Sequence, residues 1–173
     1  MTIRRAYPDT TAIRELPALS SPVIPERWED QNGHVTVGFY MAIYNDSGWP
    51  KLDLIGIDER YFNERRMGLV DLDNHLRYLS ELHVGDHVTA YGRFFAHDEK
   101  RMHGMVFVVN DNTEALASTI EFLSISIDLR QRKSAAIPED VAAHLKETIK
   151  AHQELSWTVP TCMSIPTRPD SSG

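Results

Sequence analysis

Between residues 67 and 129 the chain alternates apolar and polar residues through four successive stretches, at about 67–80, 86–97, 101–110 and 114–129. A period of two sends alternate side chains to opposite faces of a strand. The links between the stretches are short and built from turn-forming residues: Val84-Gly85-Asp86, Asp98-Glu99-Lys100 and Asn110-Asp111-Asn112. Links of that length can only reverse the chain, because a parallel crossover takes a dozen residues or more. The pattern therefore predicts an antiparallel meander. In the last stretch Leu116, Ile120 and Phe122 occupy even positions and Leu123, Ile125 and Ile127 odd ones. That change of parity predicts a bulge near Phe122, or burial on both faces.

Upstream the period changes. Val37, Tyr40, Met41, Tyr44, Gly48, Leu52 and Ile55 step by three or four, which places an apolar stripe along one helix face. Pro50 has no N–H to bond back to Asp46, so with Gly48 it predicts a kink or a break into two helices, and Gly56 is the expected stop. A second amphipathic helix is expected from Pro138 through PEDVAAHLKETIKAHQEL, with Val141, Leu145 and Ile149 on its buried stripe. Pro22-Val23-Ile24-Pro25 reads as a short edge strand. Residues 1–20 read as a surface arm, 21–155 as a single domain that includes the C-terminal helix, and the Pro/Ser/Thr-rich residues 156–173 as a flexible tail.

A helix followed by an antiparallel sheet of about five strands is an α+β layer, with the helix wrapped by the sheet. One helix leaves the outer face and one edge of such a sheet exposed, so a homodimer at least is expected. A length of 173 residues fits one domain. With 18 Lys+Arg against 25 Asp+Glu the net charge is -7, which argues against nucleic acid or an anionic membrane as partner. No apolar run approaches the roughly 20 residues that cross a bilayer, and a cytoplasmic protein is expected. The one cysteine, Cys162, has no partner for an intramolecular disulfide.

The chemistry concentrates in Trp28-Glu29-Asp30-Gln31-Asn32-Gly33-His34-Val35, just ahead of the first helical pattern. A carboxylate there can attack or deprotonate while the unpaired N–H groups of a helix start hold a polarised carbonyl. The same residues also make an Asx turn and helix cap. Asp30 is the candidate nucleophile or general base, the amides of Gly33 to Val35 the candidate oxyanion donors, and Asn32 and His34 candidates for shaping the loop or meeting a carbonyl. His75 lies on a polar strand where it shares a face with Arg77 and Leu79, opposite Leu76, Tyr78 and Ser80. Trp28, Tyr40, Tyr44 and Trp49 can be core residues or an aromatic wall that attracts a quaternary ammonium group. Arg130, Arg132 and Lys133 form a local basic run suited to phosphates. His83-x-x-x-His87 with Asp86 has metal-like spacing, but Gly85 makes it a turn rather than a helix face, so neither metal nor cofactor is expected. GxSxG, GxxxxGK[ST] and GxGxxG are all missing from the sequence.

Taken together, Asp30-x-x-Gly33-His34-Val35, Tyr40-x-x-x-Tyr44-x-x-Ser47, Leu52-x-x-x-Gly56-Ile57 and the downstream HLRYLSELHVGDHV resemble the hotdog-fold acyl-CoA thioesterases of the 4-hydroxybenzoyl-CoA type. The spacing is closest to the betainyl-CoA thioesterases of carnitine breakdown, and the resemblance covers roughly residues 22–132. It implies a helix inside a curved sheet, a homodimer or dimer of dimers with active sites between subunits, and Asp30 as the catalytic carboxylate. It further implies an acyl-CoA substrate, met by Gly33, Val35, Tyr40, Tyr44, Trp28 and His75 around the acyl group and by Arg130, Arg132 and Lys133 at the phosphates. Thr36 and Val37 replace an Asn-Asn pair of many relatives, and Trp49 an aspartate of some. Two other readings stand beside it. One is an acyl-CoA-binding or sensing protein of the same fold, in which Asp30 merely caps. The other is a hotdog dehydratase, against which Asp46 without a helical histidine speaks.

Overall fold

A computed structural model describes residues 7–165. A short helix α1 (Thr10–Ile13), capped by the Asp9 side chain, leads into strand β1 (Ala18–Ser20). After a single 3₁₀ turn at Glu26–Trp28 come α2 (Val37–Asp46), α3 (Gly48–Asp53) and α4 (Glu59–Asn63). The meander follows as β2 (Met67–Tyr78), β3 (Val88–His97), β4 (Arg101–Asn110) and β5 (Ala115–Asp128), with a two-residue β6 (Lys133–Ser134) and the closing helix α5 (Glu139–Gln153).

The strands form one antiparallel sheet in the order β1-β3-β4-β5-β2, with β6 beside β5. β2 pairs with β5 from Met67↔Asp128 to Tyr78↔Ser118, so its Tyr78 end is roughly 33 Å of strand away from its Met67 end. The sheet curls around the helices, and the inner core joins Tyr40, Ile43 and Tyr44 of α2, Tyr61 of α4, Phe94, Val106 and Phe122 of the strands, and Val141, Leu145 and Ile149 of α5. The four meander strands and the α5 stripe are as the alternation and the three-to-four spacing predict.

The break expected at Gly48 and Pro50 is present, and three other expectations change. The helix from Val37 is broken: α2 ends at Ser47 and Pro50 falls in the first turn of α3, where its missing N–H costs nothing. Gly56, at φ +73°, does stop the helix, and Ile57 N–H returns to Leu52 O at 3.1 Å. The irregularities of the last stretch lie elsewhere than Phe122. The extra residue is Ala117 on β5 opposite β4 and Leu72 on β2 opposite Ser124 and Leu123, while Ala117 to Phe122 are buried on both faces.

The edge strand is β1, from the segment read as an arm; Val23 makes only an isolated pair with His87. A second core on the outer face unites Ile13 and Leu16 with Tyr91, Met105, Phe107 and Val109, covered by Tyr7, Leu155, Trp157 and Val159. Part of the segment read as a flexible tail is therefore a packed strap. Cys162 N–H and Met163 N–H donate to the Glu121 carboxylate at 2.8 and 2.9 Å, and that carboxylate also lies 2.8 Å from His103 Nε2. Residues 1–6 and 166–173 of the two terminal readings lie outside the described residues.

Candidate active site

The loop that carries Asp30 is closed by its own backbone. Asp30 N–H donates to His34 O (2.8 Å), Gly33 N–H to Asp30 O (3.1 Å) and Thr36 N–H to Trp28 O (2.9 Å). The reversal needs φ +76° at Gly33, a conformation that only glycine adopts without strain. Asp30 Oδ1 accepts the N–H groups of Asn32 (2.7 Å) and His34 (3.3 Å). These two bonds, Asn32 first, hold the carboxyl below its ordinary pKa, so Asp30 is ionised at neutral pH in a fixed orientation.

A backbone bond ties this loop to the connection between β2 and β3: Val35 N–H donates to Leu82 O at 3.0 Å. Val35 and Leu82 are both buried in the inner core. Alternation then turns their neighbours outward, and His34 Nε2 comes within 3.3 Å of Glu81 Oε2. Beside this pair opens a cleft of about 510 Å³ lined by Asp30, His34, Val35, Val37, Tyr40 and the run Tyr78 to Glu81. Tyr78 packs edge-on against Tyr40 (centroids 5.0 Å apart, planes at 90°) and donates from its hydroxyl to Val37 O at 3.2 Å. Burial pushes the Tyr40 phenol up, so it stays protonated.

The expected oxyanion donors are engaged. The N–H groups of Gly33, His34 and Val35 bond to Asp30 O, Asp30 Oδ1 and Leu82 O, because these residues belong to the turn ahead of α2 and not to its first turn. The Thr36 side chain makes no capping bond at the start of α2, so the N–H groups of its first turn, at Val37 and Gly38, are the helix-terminal donors beside the cleft.

The other predicted residues disperse. Trp28 stacks on Phe39 (5.0 Å), Trp49 meets Phe62, and Tyr44 tilts against Phe122, so no common aromatic wall forms from Trp28, Tyr40, Tyr44 and Trp49. Tyr44 instead serves a buried network. Its hydroxyl donates to Asp71 Oδ2 (2.7 Å) and accepts from Lys51 Nζ (2.8 Å), and Ser124 Oγ donates to Asp71 Oδ1 (2.5 Å). The Lys51 ammonium lies 4.2 Å over the Tyr44 ring and 4.1 Å over Phe122, so the protein's own cation occupies these rings. Burial pushes Lys51 down to about 8, partly opposed by Asp71.

His75 points away from the cleft, its Nε2 3.9 Å from Cys162 Sγ on the outer face; Tyr78 and Ser80, from the opposite parity, line the cleft together with Leu79, which lies beyond the end of β2. Alternation had separated the two sets but carried no sign of which one faced inward. Glu81 was missed because its role follows from the Val35–Leu82 pairing. Arg130, Arg132 and Lys133 are exposed in the turn from β5 to β6, beside the Met67 end of β2 and far from the cleft of the same chain. Asp46 is exposed at the end of α2, which carries no histidine and so lacks the pair a dehydratase needs.

An antiparallel sheet curled around a helix, with a carboxylate-bearing cleft where that helix begins, defines a hotdog-fold protein. The chain belongs to the thioesterase-like superfamily, whose sequence profile matches residues 24–145. It is 28% identical over 152 residues to an L-carnitine dehydrogenase/betainyl-CoA thioesterase of a Rhizobium species, covering 88% of this chain but only 30% of that protein's length. It is also 28% identical over 141 residues to a betainyl-CoA thioesterase of Pseudomonas aeruginosa, covering 81% of this chain and 87% of that one. Among solved structures, a Staphylococcus aureus protein in complex with CoA superposes with a TM-score of 0.75 at 24% identity, covering 87% of this chain and 97% of the other.

Proposed function

We propose that the chain is an acyl-CoA thioesterase, hydrolysing a CoA thioester to a free acid and CoA. The observation that carries this reading is the ionised Asp30 carboxylate, fixed in a cleft beside the uncapped first turn of α2. With Oδ1 committed to the loop, Oδ2 does the chemistry. It attacks the thioester carbonyl to give an anhydride that water then opens, or it takes a proton from the water that attacks. In either route the oxyanion rests against the Val37 and Gly38 N–H groups and the CoA thiolate leaves. The reaction needs no cofactor beyond the substrate itself.

Betainyl-CoA is the substrate the reading favours. The Pseudomonas relative bears that name, and Asp30, Glu81 and the Tyr40–Tyr78 pair offer negative charge and π faces to a trimethylammonium group. The active unit in this reading is a homodimer or a dimer of dimers. β2 is a twelve-residue edge strand with Val70, Leu72 and Tyr78 about half exposed, and among the described residues no strand pairs with its outer edge. Pairing two β2 strands about a two-fold axis brings the Met67 end of one to the Tyr78 end of the other. Arg130, Arg132 and Lys133 of the partner subunit then approach the cleft and the CoA phosphates. No helix of the described residues is long and apolar enough to cross a membrane, and a CoA ester substrate fits a cytoplasmic location.

One observation favours a second reading, binding without turnover: Asp30 Oδ1 already caps its own loop, as a purely structural aspartate would. Thiol release from betainyl-CoA beside neutral short-chain and aromatic acyl-CoAs separates the two. Thioesterase chemistry predicts turnover that falls by about 10²–10⁴-fold in Asp30→Asn. An Asp30→Asn protein as fast as wild type sinks the mechanism, and CoA-ester binding with no turnover by wild type establishes the sensor.

A further inference from the structure

The Val35–Leu82 bond that builds the cleft also gathers three metal-ligating side chains on its outer side. Val35 and Leu82 enter the core, so His34, Glu81 and His83, the residues next to them, project together toward solvent. One ligand atom from each lies within 4.8 Å of the other two, His34 Nε2 stands 3.3 Å from Glu81 Oε2, and the two imidazoles sit edge to face at 5.5 Å. Tetrahedral zinc with bonds of 2.0–2.2 Å sets its ligand atoms roughly 3.4 Å apart, so only the His83 ring has to turn to complete three ligands. That side chain is half exposed, and its backbone is pinned by His83 N–H donating to Asp86 Oδ2 at 2.9 Å. Asp86 Oδ2 also lies 4.0 Å from His83 Nδ1, an acidic neighbour rather than a hydrogen-bond partner.

We propose that His34, Glu81 and His83 form a site for a divalent transition metal of the zinc class, with two imidazoles, one carboxylate and a fourth position open to solvent. This is not the His83-x-x-x-His87 pair of the sequence, and the metal is no cofactor. By seizing His34 and Glu81 at the mouth of the cleft, it inhibits. The inhibition rests on the thioesterase reading; the binding does not.

The test is a titration of the metal-free full chain with Co²⁺, read by visible absorption, and with Zn²⁺, read by calorimetry. One equivalent of Co²⁺ gives d–d absorption that Zn²⁺ displaces, His83→Ala and Glu81→Gln each weaken binding roughly tenfold or more, and His87→Ala leaves it unchanged. A featureless Co²⁺ titration, or loss on His87→Ala rather than His83→Ala, overturns the site. In the activity arm Zn²⁺ slows thioester hydrolysis by wild type but not by His83→Ala, and a chelator restores it. Hydrolysis untouched by bound Zn²⁺ overturns the inhibitory role. Absence of hydrolysis from the metal-free protein overturns the thioesterase reading while the Co²⁺ spectrum still decides the site.

Discussion

On the inner face of the sheet, Ile43, Phe94, Ile120 and Phe122 are sealed by helices whose apolar stripes repeat every three to four residues. On the outer face, Tyr91, Met105, Phe107 and Val109 are sealed by α1 and by a strap of residues 155–165 that has no period at all. The inner cover is held by area. The outer one adds to the apolar contact of Leu155, Trp157 and Val159 one buried carboxylate, Glu121, which takes two strap N–H groups and the His103 imidazole. Adjacent residues of β5, Glu121 and Phe122, thus serve opposite covers. One sheet is closed by two kinds of force.

Truncation is the strongest way to break this contrast. Phe122→Ala is expected to cost about 3–5 kcal/mol in urea denaturation, because the ring is fully buried between Phe94 and Tyr44 and the cavity cannot collapse. Glu121→Gln is expected to cost about 2–3 kcal/mol by the same measurement, since an amide nitrogen must face strap donors or the imidazole. Its signature is local: limited proteolysis should cut within 156–165 faster than in wild type while the helices remain protected.

The third experiment exploits the cation of the inner face. Lys51 titrates near 8 in the folded chain against an ordinary 10.5, so between these values the unfolded chain binds more protons and stability rises with pH. From pH 8 to about 10, before Tyr44 of the unfolded chain ionises, wild type should gain about 2 kcal/mol that Lys51→Met does not. Equal pH dependence of the two proteins would show that Lys51 titrates normally. The smallest effect belongs to neither cover. Arg65 grips Asp140 with two bonds of 2.8 and 2.6 Å at the surface, holding that carboxyl down at about 2. Its contribution is present above the ordinary carboxylate range and lost as pH falls toward 2. Solvent screening limits it, and Asp140→Asn should cost about 0.5 kcal/mol at neutral pH.

The inner half of this molecule was legible because periodicity is a local signal. Strand alternation, the α5 stripe and the Pro50 break each follow from residues a few positions apart. The outer cover was not, since Tyr7, Trp157 and Cys162 meet the sheet through contacts more than forty residues away in sequence, and Pro, Ser and Thr around them suggested looseness. At the site, Asp30, His34 and Val35 were readable from one short run. Tyr78 and Glu81 were not, because a two-residue period separates faces without labelling them. The Lys51–Tyr44–Asp71 network had no signal either, as it joins two broken helices to a strand through side chains alone.

The Val35–Leu82 hydrogen bond binds the history of the core to the history of the site. A substitution at either of these buried residues shifts the backbone on which His34, Glu81 and His83 stand. Drift in these two core positions is therefore constrained twice, once by volume and once by chemistry. Variants there belong in activity screens as well as stability screens, and an engineer who repacks this corner is also retuning the cleft.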